Sequence, residues 1–273
     1  MKVNKSSLTD KIGLARSTIY YQRVQPEKDW QTKIEIEKVL RVHHSYGHKR
    51  IARTLNINKK RVLRVMKIYG IKPYRRRRKP RDKAKKTKES FIYPNLLLDE
   101  LIYPSYPNHI WATDFTYLPF NGRFIYLATV LDLFTREIVG FNILNRHDIN
   151  LVSNALIQGL SNRNIPKILH SDQGSEYKSK SYVCLAENLN IKISMSHPGC
   201  PWENGYQESF YSHFKVDLGD PNRFIHLGQL VYSIYQTIHN YNHKRIHTSL
   251  KMPPFEYAKR FKGRTPSDIQ FSV

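Results

Sequence analysis

Three acidic residues stand in stretches that invite a chemical reading: Asp114 in WATDFTYLP, Asp172 in KILHSDQGSEY and Glu208 in PWENGYQESFYSHFK. Carboxylates gathered in one place cannot all stay ionised cheaply without a cation, and their hard oxygen donors suit Mg²⁺ or Mn²⁺. Two such ions would activate water or a 3′-hydroxyl on one side of a phosphodiester and stabilise the departing oxygen on the other. The chemistry on offer is phosphoryl transfer. With 22 acids in the chain, many other triples exist, and Glu176, Glu187 and Glu203 stay open as third ligands. Asp172, at the mouth of an apolar run and two residues before Gly174, also suits the plainer task of capping the following turn.

Convergence of those acids depends on the elements that carry them. HIWATDFTYLPF, RFIYLATVLDLF and EIVGFNIL predict three antiparallel strands, the first two joined by the Asn121-Gly122 hairpin signal. INLVSNALIQGL then predicts a helix, KILHSD a buried strand, SYVCLAENLN a helix and IKISMSH a short strand; after PGCPWENG come a helix over 203–217 and a long one over 226–241. A three-strand meander followed by alternating helix and strand is the order of an RNase H-like α/β core, a mixed sheet flanked by helices. In that order the strands carrying Asp114 and Asp172 lie side by side. Glu208 sits on the following helix and shares a face with Asn204, Ser212 and Lys215. Gly174 would let the backbone turn close to metal and DNA. His170 shares the strand face of Asp172, as a supporting group behind the metal ligands or as a packed core histidine. Lys215 is read as a phosphate contact or a solvated lysine, Asp132 as a turn anchor, and Trp202 as a staple between the helix start and the core.

Upstream, the pattern is helical. Residues 6–22 suggest two short helices around Gly13, and Ile34, Val39 and Leu40 keep helical spacing. YGHKRIARTL supplies another helix, and Asn58 caps NKKRVLRVMKIYG with Val62, Val65 and Met66 inward. This is a small all-α region of helix-turn-helix character, whose last helix offers Lys59, Lys60, Arg61, Arg64 and Lys67 to DNA. In residues 75–88, RRRRKPRDKAKKTK, ten of fourteen side chains are basic, Arg75, Arg76, Arg77 and Arg78 among them. No core can form there, and such a run suits a linker that tracks a phosphate backbone. The expected division is a helical DNA-binding region over 1–73, a basic linker over 74–104, the catalytic core with its C-terminal helices over 105–262, and a tail over 263–273.

The 45 Lys and Arg residues against 22 Asp and Glu give a net charge of +23, which calls for a polyanionic partner, DNA above all. No apolar run approaches the roughly 20 residues of a membrane span, and no signal-peptide pattern opens the chain, so a cytoplasmic, nucleoid-associated protein is expected. Cys184 and Cys200, the two cysteines present, cannot build a disulfide framework. No CxxC stands downstream of His43 and His44 either, so structural zinc is not expected.

WATDFTYLP, LDLFTREIVGF, HSDQGSEY, PGCPWENGYQESFYSHFK and the closing YNHKRIHTSLKMPPFEY together resemble the integrase-core transposases of the insertion sequence 3 family, the products of its second reading frame. YGHKRIARTLNINKKRVLRVMKIYGIKP is similar to the helix-turn-helix segment before that family's core, so the resemblance spans nearly the whole chain. Thirty-five residues separate Asp172 from Glu208, as in the family's DDE pattern. The resemblance implies Asp114, Asp172 and Glu208 as catalytic metal ligands for about two Mg²⁺ ions. It also implies DNA strand cleavage and strand transfer at insertion-sequence ends through a circular intermediate, with no covalent protein–DNA link. The implied partners are further copies of this chain and a first-frame protein with its own helix-turn-helix and leucine zipper, often fused by frameshifting. Where the family commonly carries Asp after the tryptophan, Glu203 follows Trp202 here. Two other readings are a DNA-binding regulator or decayed transposase without catalysis, and a nuclease acting on RNA–DNA hybrids.

Overall fold

The computed structural model describes residue 13, residues 25–74 and residues 93–262. The expected helices over 6–22 and the run Arg75 to Arg78 lie outside the described residues. The chain divides into two compact units at Pro73 and Tyr74.

In the first unit, α1 (Gln25–Val42), α2 (His48–Thr54) and α3 (Lys59–Ile68) pack around Ile36, Tyr46, Ile51, Val62 and Val65, each 0% exposed. The side chain of Asn58 caps α3 by accepting a 2.8 Å bond from the Lys60 N–H. Both α2 and α3 close the same way. Asn56 and Gly70 take φ of 51° and 63°, while the N–H groups of Ile57 and Ile71 donate back to the carbonyls of Ala52 and Met66. The inward face of α1 differs from the expected one: Asp29, Thr32, Ile36 and Val39 are buried, while Ile34 and Leu40 are half-buried. The polar Asp29 and Thr32 hid that stripe from an apolar count. Asp29 is held at 2.5 Å by Arg64 and at 2.8 Å by Gln25, and Thr32 bonds the Lys28 carbonyl.

The second unit is built on a five-stranded sheet in the order β3-β2-β1-β4-β5, where β1 is Ile110–Phe120, β2 Arg123–Asp132, β3 Ile138–Leu144, β4 Ile168–Ser171 and β5 Lys192–Met195. The first three strands are antiparallel, and β4 and β5 run parallel to β1. Asn121 and Gly122 turn the β1–β2 hairpin with φ of 47° and 75°. One sheet face is covered by α5 (Ile149–Asn162) and α6 (Lys180–Asn188), which enclose Trp111, Ala128, Val130, Leu151, Leu156 and Tyr182. The other is covered by α7 (Gly205–Leu218) and α8 (Leu227–His243), around Ile110, Leu118, Phe210, Phe214 and Ile234. This is the RNase H-like α/β arrangement.

The backbone of α5 comes so close to β3 that a Cβ on Gly140 would stand 2.2 Å from the Ala155 carbonyl oxygen; only glycine fits. Residues 93–100, placed within the expected linker, are instead joined to the sheet edge. Asn95 is 1% and Leu96 8% exposed, Met195 donates to the Pro94 carbonyl, and Leu96 donates to Ser194 Oγ at 3.0 Å. A short helix, α4 (Leu96–Asp99), follows. Near the C-terminal end Asn242 pairs with both backbone groups of Ile138, Tyr241 donates to the Arg136 carbonyl, Arg245 bonds Asp217, and α9 (Pro254–Lys259) follows. Among the described residues no helix is long and apolar enough to cross a membrane.

Candidate active site

The register of β1 against β4 ends with Ala112 paired to His170 and β4 ends at Ser171, so Asp114 and Asp172 lie just past the paired segment, near enough for Asp172 to act on Asp114. The Asp114 carboxyl accepts a 2.8 Å bond from the Phe115 N–H. Burial, and then the neighbouring Asp172, push its pKa up to about 7, with the Phe115 N–H and the Lys215 ammonium opposing. Asp172 is exposed as a residue, yet desolvation of its carboxyl raises it as well; the Gly174 N–H, donating at 3.0 Å, opposes this, and Glu176 adds to it. Asp172 therefore does cap its turn, and it does so while lying near a second acid. Gly174 is needed for a reason other than an unusual backbone angle. A Cβ there would lie 3.0 Å from Asp172 Oδ1 and 3.3 Å from Glu176 Oε2.

The helix α7 is seated on β1 by side chains that reach strand carbonyls. Gln207, 0% exposed, donates to the Ala112 carbonyl at 2.7 Å and accepts from the Thr129 hydroxyl. Tyr211 donates to the Asp114 carbonyl at 2.7 Å. These two residues went unremarked in the sequence, although a Gln and a Tyr at helical spacing on an otherwise apolar face are a readable signal. Asn204 is buried and donates to the Thr113 carbonyl at 3.4 Å, and its Oδ1 is buried without a partner. Lys215 acts on Asp114 from the end of this face.

Glu208 projects from the first turn of the same helix and is exposed. Among the described residues no three His, Cys, Asp or Glu side chains lie close enough together to hold a metal ion; the structure thus brings Asp114 and Asp172 together and leaves Glu208 outside the pair. Of the rival acids, Glu176 stands beside Asp172 and raises its pKa, while Glu203 and Glu187 lie in other surroundings. Glu203 accepts from the His197 N–H and from Asn95, both at 2.7 Å, and so ties the segment before α4 to the loop before α7. Glu176 bonds His147 at 2.8 Å, and burial, which would raise it, is outweighed by that bond and others. Glu187 is exposed on α6.

His170 is 1% exposed and bonds Ser194 Oγ at 2.9 Å rather than either acid. Burial holds its pKa down to about 4, so it is neutral and fastens β4 to β5. Asp132 accepts from the N–H groups of Asn108 and Phe134 and anchors the turn after β2. Trp202 corrects an expectation: at 68% exposed it lies out in solvent rather than stapling the helix start to the core. On α3, Arg61 donates to the Lys28 carbonyl and Arg64 pairs with Asp29, so both lash α3 to α1. Lys59, Lys60 and Lys67 point to solvent.

The integrase core domain family matches residues 104–201, and a second integrase core domain family matches residues 189–254. The InsK protein of insertion sequence element IS150 from Escherichia coli K12 is 31% identical over 262 residues, covering 90% of each chain. The transposase of insertion sequence element IS904 from Lactococcus lactis is 32% identical over 232 residues, covering 81% of this chain and 91% of its own. A solved structure, the HTLV-2 integrase catalytic core domain in complex with magnesium, overlays with a TM-score of 0.43 at 17% identity, covering 56% of this chain and 97% of the other.

Proposed function

From the premise that the chain belongs to the insertion sequence 3 family of integrase-core transposases, we propose that Asp114, Asp172 and Glu208 are the DDE acids of its DNA strand cleavage and strand transfer. The observation that carries this assignment is that adjacent strands β1 and β4 deliver Asp114 and Asp172 to one place, where desolvation raises each carboxyl and Asp172 raises Asp114 further. Such a pair fits a hard divalent cation, whose charge would offset the desolvation that raises both acids and the repulsion from Asp172 that raises Asp114 further. Mg²⁺, or Mn²⁺ in its place, would be held by these carboxylates with Glu208 as the third ligand. When bound, one or two such ions supply Lewis acidity at the phosphodiester and a nucleophile at neutral pH.

The chain's own residues do the positioning. Gln207 and Tyr211 hold α7, the helix that carries Glu208, against β1. The Gly174 N–H orients Asp172, and the Lys215 ammonium beside Asp114 offers a contact for the incoming phosphate. Lys59, Lys60 and Lys67 on α3, with the basic run containing Arg75 to Arg78, bind the DNA flanking the cleavage site through its phosphates. The helical unit is read as a helix-turn-helix module, and two or more copies, with a first-frame partner protein, bridge the two ends of the element. On this reading the protein works on the nucleoid.

The test is cleavage and joining on labelled duplexes that carry the element's ends, with Mg²⁺ or Mn²⁺ and the first-frame protein present. Asp172→Asn and Glu208→Gln should each abolish 3′-end products while binding persists. Wild-type binding without any product under these conditions would instead favour a DNA-binding regulator.

A further inference from the structure

His147 is an exposed histidine in the connection between β3 and α5. Its Nδ1 lies 2.8 Å from Glu176 Oε1, and against a carboxylate that nitrogen is the donor. The other oxygen of Glu176 accepts from the Ser175 hydroxyl at 3.0 Å, so both are held. The histidine is itself braced. Its ring stacks on Phe115, the residue after Asp114, with centroids 5.8 Å apart and planes 8° from parallel, and it leans on Tyr126 at 5.0 Å. The next residue, Asp148, caps α5 by accepting from the N–H groups of Asn150 and Leu151, which fixes the backbone that carries the ring.

The acid held in this way stands beside Asp172. A Cβ on Gly174 would lie 3.0 Å from Asp172 Oδ1 and 3.3 Å from Glu176 Oε2, so the two carboxylates border one gap that the glycine leaves open. Glu208, by contrast, is exposed on a separate helix. A hard cation accepts any carboxylate oxygen that reaches it, so proximity to Asp172 alone would favour Glu176. Something must restrain it. We propose that His147 is a positioning residue for the acid site: by engaging Glu176 it keeps that carboxylate off a cation held by Asp114 and Asp172, and so reserves the third position for Glu208. This rests on the reading of those three as the DDE acids. Groups behind a metal site commonly decide which side chains ligate and how tightly; here the group acts by withholding a ligand.

The experiment titrates the full chain with Mn²⁺ in the absence of DNA, reading free Mn²⁺ by its paramagnetic resonance signal, beside a cleavage assay with Mg²⁺ on duplexes that carry the element's ends. His147→Ala should bind Mn²⁺ about tenfold more tightly than wild type and yet yield fewer 3′-end products, because the cation is then shared with Glu176 rather than Glu208. Adding Glu176→Gln to that variant should return both properties to wild-type values, and Glu176→Gln alone should change neither. His147→Asn, whose amide nitrogen can take the place of Nδ1, should behave as wild type. A variant that merely loosened the fold would lose binding and cleavage together. That outcome for His147→Ala would overturn the tether, as would an unchanged affinity or a gain that survives Glu176→Gln. Wild type that binds no Mn²⁺, or binds it equally after Asp172→Asn, would instead sink the reading of the acid site, and the role of His147 falls with it.

Discussion

Replacing Asp114 by Asn should make the metal-free protein more stable at neutral pH while removing its activity. The native state raises Asp114 from an ordinary 3.8 to about 7, so between those values the folded chain keeps a proton that the unfolded chain has released. Its contribution to stability is therefore full below about pH 4 and is lost as pH rises through about 7. Three units at about 1.4 kcal/mol each set an upper bound near 4 kcal/mol. Asp114 is only half-buried, and water screens part of the cost, which brings the expected gain to about 2 kcal/mol at pH 8. Asn keeps the oxygen that accepts from the Phe115 N–H, so the substitution removes charge and little else. For a unit of this size the gain corresponds to a rise in Tm of about 4–8 °C. Trp111, 0% exposed at the centre of the second unit, supplies a fluorescence readout of its unfolding in chelator-containing buffer. The variant should match wild type at pH 4.5 and pull ahead steadily towards pH 8. A variant less stable than wild type at pH 8, or a difference independent of pH, would refute the account of the acid pair.

Gly140→Ala should be among the most damaging small substitutions in the chain. Its Cβ would press on backbone atoms of Ala155 and Gly159 at 2.2 and 2.7 Å, and a loss of about 3 kcal/mol or more is expected in urea unfolding. Gly174→Ala should separate function from stability: the new methyl displaces the Asp172 carboxylate, so strand cleavage falls at least about tenfold while Tm moves by only a few degrees. Gln207→Leu, close in volume, leaves the Ala112 carbonyl and the Thr129 hydroxyl short of partners and should cost about 2 kcal/mol, measured by denaturant titration.

The sheet was readable because its signals are local: alternation along each strand, an Asn-Gly turn, and apolar runs ended by polar residues. Placing Asp114 beside Asp172 also needed only the strand order, since parallel neighbours in register bring residues at matching positions onto one face. What escaped reading depends on pairs far apart in the chain. Nothing local announces that His147 would hold Glu176 or that Asn95 would reach Glu203, and a linker boundary drawn from composition cannot register the latter contact. The inward face of α1 was misjudged for a related reason, because Asp29 and Thr32 find hydrogen-bond partners that make polar burial tolerable. Arg61 and Arg64 show the same limit from the other side: a basic residue on a helix reads as a DNA contact until its partner on another helix is known.

The three acids divide according to how each is positioned. Asp114 lies within β1 and Asp172 directly after β4, so the pairing of these two strands brings them together, with raised pKa values as the consequence. Glu208 is fixed by a separate layer, through bonds from Gln207 and Tyr211 to the backbone of β1. Those bonds seize carbonyls at Ala112 and Asp114, one on each side of Thr113, so α7 follows β1 closely and its position is tied to the strand that carries the first acid. Rotating the helix enough to bring Glu208 fully onto the pair would strain bonds that bury Gln207 at 0% exposure. On the proposed assignment the trio is completed by a side-chain movement on a stationary helix, and an α7 backbone that keeps its place in free and DNA-bound states would support this.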